Sequence, residues 1–129
     1  MNLFIIFIGL FFCHYLADYT WLSTSYMLNA KRFGTPLFPI FCHAMMQTCL
    51  MGIFLFIMSF IIPLSSAIVF DMLIFQLMTH FVFDTLKGKL TFKFKALQDI
   101  SNKWYWVTMG GDQFLHNIVI VIMALLLVL

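Results

Sequence analysis

The sequence predicts an all-α fold, an integral membrane four-helix bundle, and three observations predict it. The chain has 129 residues, of which 64% are apolar and only 9% charged, too little polar surface to coat a soluble globule of this size. It contains four apolar runs, each matching the roughly 20 helical residues needed to cross a hydrocarbon core about 30 Å thick. The polar residues fall into short connections and at matching places within the runs. One domain, 1–129, is expected, with helices over 2–22, 37–62, 67–87 and 109–129 and an interfacial basic segment over 88–108.

The first run, from Asn2, has no basic n-region and continues through His14 and Asp18 without a small-residue cleavage site. It is expected to be a retained helix and not a secretion signal. From Tyr19 to Pro39 the chain collects Ser, Thr, Asn29, Lys31, Arg32, Gly34 and Pro36, the composition of a polar connection. A second helix then runs to about Ile62, with Pro63 and Ser65–Ser66 as a short turn before the third. The stretch Lys87 to Met109, with its five lysines, Asn102 and two tryptophans, is too polar to span. Gly110–Gly111 is expected to open the fourth helix. Cys13, Cys42 and Cys49 lie in apolar runs at no redox or zinc-finger spacing and are read as filler. The ten methionines and seventeen phenylalanines are read as lipid-facing and packing residues.

Alternation of four spans puts the first and third connections on one side, and they contain all seven basic residues. The positive-inside rule makes that side cytoplasmic and places both termini on the external side. Trp21, Trp104 and Trp106 fall at the same level, as an aromatic belt does, and Lys89 to Lys95 reads as an interfacial strip. Such lysines anchor a chain in lipid, and they would also attract an anionic headgroup or substrate.

On this topology His14, His43, His80 and His116 share one depth, within about three turns of the cytoplasmic interface. Three of the five acids join them, as His14-x-x-x-Asp18, His80-x-x-x-Asp84 and Asp112-x-x-x-His116. Spacing of four puts each pair on one helical face, within reach of each other or of one ion. In each pair the aspartate lies nearer the water, which is why the order inverts in the fourth helix. Seven ionisable groups facing inward cost at least about 2.5 kcal/mol each at the bilayer centre on insertion scales, so they require mutual compensation or a bound ion. A hydrogen-bonded His–Asp network joining the helices is one solution. The other is a mixed nitrogen and oxygen ligand set of His14, Asp18, His43, His80, Asp84, Asp112 and His116 for a divalent metal such as zinc, iron or manganese. Seven donors suit either two ions, or one ion with carboxylates orienting its imidazoles. Gln76 and Lys87 extend the His80 face, Gln47 lies one turn from His43, and Gln113 neighbours Asp112. Asp71 lies off the His80 face and Asp99 among the lysines; both are expected outside the cluster.

The segments His14-Tyr-Leu-Ala-Asp18, His80-Phe-Val-Phe-Asp84-Thr-Leu-Lys87 and Asp112-Gln113-Phe-Leu-His116, with His43 between, resemble a family of small bacterial polytopic membrane proteins of the domain-of-unknown-function kind. Its pattern is HxLaD, then His, then HxxxDxxK, then DQxxH, and the resemblance spans most of the chain. Where members often have a glutamine-containing stretch after the first motif, this chain has Trp21-Leu22-Ser23-Thr24. The resemblance implies residence in a bacterial inner (plasma) membrane and brings no reaction with it.

The leading functional expectation is a metal-dependent hydrolase acting on a lipid or other membrane-associated anionic substrate, with Asp18 as ligand or general base and Lys87 neutralising the substrate. The alternatives are an ion or small-molecule transporter, or a subunit of one, using the same cluster; a non-catalytic subunit of a membrane complex; and a haem protein using a histidine pair. The lipid bilayer is the expected partner, a homo-oligomer remains open, and no nucleic acid is expected.

Overall fold

The computed structural model describes residues 1–129, and every regular element in it is helical. α1 spans Asn2–Tyr19, α2 Ser25–Phe33, α3 Leu37–Met58, α4 Ser66–Lys93 and α5 Lys103–Val128, with one 3-10 turn at Lys95–Leu97. α1, α3, α4 and α5 are long and apolar enough to cross a membrane, the architecture of an integral membrane protein. α1 packs on α3 and α5, α4 packs on the same two, and α2 lies across α3 and α4.

The bundle is divided along its length. At one end Ile6 and Leu10 of α1, Met51 and Leu55 of α3, and Ile120 and Met123 of α5 are fully buried against one another. At the other end these helices together with α4 bury His14, His43, Gln47, Gln76, His80, Asp84, Asp112 and His116. Large apolar side chains such as Phe4, Phe38, Phe56, Phe70 and Phe114 point outward, as a helix with lipid on its outer face requires.

The boundaries differ from the sequence expectation: α1 and α3 end at Tyr19 and Met58, short of 22 and 62, and three further differences bear on the site. The first connection contains α2, a helix with its own caps: the Thr24 hydroxyl accepts from the Met27 amide at 3.3 Å, and Gly34 ends it at φ 68°. That left-handed turn suits glycine, which has no Cβ to clash. α4 runs to Lys93 instead of ending near 87, because lysine stems lie along a helix while their ammonium groups reach water. α5 starts at Lys103, capped by the Asn102 side chain, which accepts from the Trp104 amide at 3.0 Å. Gly110–Gly111 therefore lies inside α5. A glycine in a helix interior costs only about 1 kcal/mol, too little to break a helix of 26 residues.

One close approach fixes α2 to the bundle. A side chain at Gly88 of α4 would fall on the backbone of Gly34 and on the Lys31 carbonyl. The missing Cβ lets the last turn of α2 rest directly on α4, which carries Lys31 into the polar end.

Candidate metal centre

Each i,i+4 pair is delivered by one helix, as its spacing requires: His14 and Asp18 by α1, His80 and Asp84 by α4, Asp112 and His116 by α5. His43 comes from α3 and Lys31 from α2. The four imidazoles crowd together, with ring centroids 4.3 Å apart for His80 and His116 and 5.1 Å for His43 and His80.

Two groups of side chains could hold a metal ion, Asp18–His43–His80 and His80–Asp84–His116. They differ in how their atoms are satisfied. In the first, the Lys31 ammonium donates to both Asp18 oxygens at 3.0 and 2.9 Å and lies 3.3 Å from His43 Nε2. His43 Nε2 is also 2.9 Å from Asp18 Oδ1. On its other side His43 Nδ1 is 3.0 Å from the Ser23 hydroxyl, which donates to the Ala17 carbonyl at 2.6 Å. With that proton committed, Nδ1 donates to Ser23, and Nε2 stands between the Asp18 carboxylate and the Lys31 ammonium.

In the second group, His80 Nε2, His116 Nε2 and both Asp84 oxygens are buried without a hydrogen-bond partner. They are nonetheless close: His80 Nε2 to Asp84 Oδ2 is 3.2 Å, and His116 Nε2 to Asp84 Oδ1 is 3.4 Å. Asp112 Oδ1, also unpartnered, is 3.5 Å from His116 Nε2. Unpaired buried polar atoms of this kind cost about 1–3 kcal/mol each. Ligands about 2.0–2.2 Å from one tetrahedral ion stand about 3.3–3.6 Å from one another, close to these spacings. The donor set therefore fits a divalent cation.

The surrounding residues hold this arrangement. Lys87 Nζ donates to Asp112 Oδ2 at 2.9 Å. Gln113 donates to Asp18 Oδ2 at 3.2 Å. The Gln76 amide lies 3.4 Å from His80 Nδ1. His14 has both ring nitrogens engaged, Nδ1 by Gln47 at 2.9 Å and Nε2 by Gln113 at 3.1 Å. It thus stands beside both groups and within neither, bracing α1 against α3 and α5. Asp18, expected as ligand or base, has both oxygens occupied by Lys31, with His43 and Gln113 also in contact. Asp71 and Asp99 are exposed, and Cys13, Cys42 and Cys49 are free thiols.

Lys31 is a site residue that the sequence analysis leaves in the polar first connection, yet it is 7% exposed and lies 3.3 Å from Asp84 Oδ2 as well as against Asp18. Burial by itself would lower its pKa, but Asp84, Asp18 and Asp112 outweigh that and hold the ammonium above the ordinary lysine value. It stays charged at neutral pH, and the stability it lends is lost only as pH rises beyond the lysine range. Two signals pointed to it: buried carboxylates need cations, and Thr24 to Gly34 carries a helix start and a helix stop.

A cavity of about 540 Å³ reaches Asp18, Lys31 and Lys87 of the cluster and is lined also by Arg32, Gln98 and Tyr105, with His80, Asp84 and His116 outside its lining. No curated protein and no solved structure matches the chain. Over residues 6–129 it matches the family described as "Protein of unknown function (DUF3307)", and the chain belongs to that family.

Proposed function

We propose that the protein is a metal-dependent membrane hydrolase with one divalent ion held by His80, Asp84 and His116, acting on an anionic, membrane-associated substrate. The observation that carries this reading is the set of unpartnered buried atoms on those three residues. The Gln76 amide nitrogen stands 3.4 Å from His80 Nδ1; with that amide turned over, its carbonyl would accept the Nδ1 proton and leave Nε2 free for a metal. Such an ion would supply Lewis acidity and a water acidic enough to attack at neutral pH. Asp112 is placed to take a proton through Oδ1, since Lys87 holds its other oxygen. This moves the base from Asp18 to Asp112 and makes Lys87 its positioning residue. Lys31 and Lys87 are paired with carboxylates, and Arg32 is the cation of the cavity lining left to receive a phosphate or carboxylate group.

The transporter reading has less support, because the bundle beyond the site is closed by fully buried Ile6, Leu10, Met51, Leu55, Ile120 and Met123. Haem is disfavoured by imidazoles too close together to admit a macrocycle between them. The positive-inside distribution of lysines supports a cytoplasmic opening for the cavity.

Elemental analysis of protein purified under metal-replete conditions tests the reading. Wild type is expected to hold a divalent metal that His80→Ala and His116→Ala lose, and vesicle-based assays with ester and phosphoester lipids should show a hydrolytic activity that vanishes with it. Wild type without metal would overturn the proposal.

A further inference from the structure

We infer that Lys31 acts as a built-in second cation: the polar end is a two-cation site in which one position takes a metal and the other is permanently filled by the Lys31 ammonium. This rests on the metal reading above and specifies its stoichiometry. The Lys31 Nζ lies 2.9 and 3.0 Å from the Asp18 oxygens, 3.3 Å from Asp84 Oδ2 and 3.3 Å from His43 Nε2. An ammonium has three N–H donors and accepts nothing, and here two carboxylates, Asp18 and Asp84, and the His43 imidazole converge on it.

Asp84 joins the two positions. Its Oδ2 faces Lys31 and His80, and its Oδ1 faces His116 at 3.4 Å. A carboxylate shared in this way is what two-metal sites use to hold ions about 3.5–4 Å apart. The difference is that Asp18 and His43 already have their cation, whereas His80 Nε2, His116 Nε2 and the Oδ1 side of Asp84 do not. Charge agrees with this division. The three buried carboxylates Asp18, Asp84 and Asp112 face two ammonium groups, Lys31 and Lys87, so one negative charge is left over. A single divalent ion leaves a small positive excess, whereas a second would lie against the ammonium as a like charge.

Removing the ammonium should therefore open a latent metal site. Asp18 Oδ1 and His43 Nε2 are 2.9 Å apart, and His43 Nε2 and Asp84 Oδ2 are 3.8 Å apart, so three donors stay gathered around the vacated position. Lys31→Met keeps an unbranched side chain one atom shorter and removes the ammonium with its charge and its donors. Lys31→Arg keeps the charge.

The test is metal content per chain in full-length protein in nanodiscs, dialysed against manganese or zinc and measured by mass spectrometry. One ion is expected in wild type and in Lys31→Arg, and two in Lys31→Met. Manganese-loaded wild type should give the six-line electron paramagnetic resonance spectrum of an isolated ion, a readout that holds even if Lys31→Met does not fold. Two ions, or a spin-coupled pair, in wild type would overturn the inference. One ion in both wild type and folded Lys31→Met would overturn it while leaving the metal reading intact. No metal in any variant would overturn both.

Discussion

At one end of the bundle Ile6, Leu10, Met51, Leu55, Ile120 and Met123 of α1, α3 and α5 are fully buried by one another; at the other, α3 and α4 bury His43, Gln47, His80 and Asp84 just as completely. The two sets of residues are equally buried and differ in what a lost atom leaves behind. A missing methylene at the apolar end leaves a void that neighbours or lipid can partly fill. A missing carboxylate at the polar end leaves an ammonium or an imidazole with no compensating partner. The first end specifies that the helices pack, and the second specifies in which register they do so, because each charged group must meet a particular atom.

Matched deletions test the contrast most strongly. Asp84→Ala removes a proposed metal ligand and half of the charge around Lys31. It should lower unfolding stability by about 3–5 kcal/mol, as breaking a buried charge pair does, and abolish metal binding. Met51→Ala, at a residue equally buried, should cost less than the about 2–5 kcal/mol of a soluble core, because where lipid replaces water the transfer contribution falls away and packing remains. Its metal content should not change. Denaturant titration in detergent with parallel elemental analysis measures both, and equal losses from the two variants would erase the distinction.

A smaller effect is expected from Gly88→Ala, which touches neither end's contacts directly. Its new Cβ would fall on Gly34 and push α2 outward, drawing Lys31 from Asp18 and Asp84. Overpacking of this kind costs about 1–3 kcal/mol. The variant should then share the metal behaviour of Lys31→Met, rising toward two ions per chain. A folded Gly88→Ala that stays at one ion would show that α2 holds Lys31 without that close approach.

How much of this was legible in the sequence follows the same division. The four apolar helices were readable because lipid imposes a length and a composition on each, and Asp18, Asp84 and the four histidines were readable because charge is rare in such runs and four-residue spacing places them on one face. The boundaries of α4 and α5 were not, since lysines and a glycine pair signal helix ends only weakly when neighbouring turns support the helix. Nor was the split between a satisfied and an unsatisfied group. It depends on Lys31 arriving from α2, and on Gln47, Gln113 and Ser23 taking up specific nitrogens, which are contacts between helices that periodicity along one helix does not contain.

The finest contrast lies within the polar end, between the two side chains that orient its imidazoles. Ser23 sits 3.0 Å from Nδ1 of His43, in the group filled by Lys31, and Gln76 sits 3.4 Å from Nδ1 of His80, in the group with unpartnered atoms. Each removal costs about 1 kcal/mol of stability, the net worth of one hydrogen bond. The metal should separate them. Gln76→Leu frees the His80 ring to turn, and loss of such a partner weakens a metal site about 10–100-fold. Ser23→Ala disturbs only the group that already has its cation, and metal affinity should stay within about twofold of wild type, because His43 is not among the proposed ligands. Competition titration with a chromophoric chelator reads both affinities in the same preparation. Equal weakening by the two variants would mean that His43 shares the ion, and that the boundary between the two groups runs elsewhere than through Asp84.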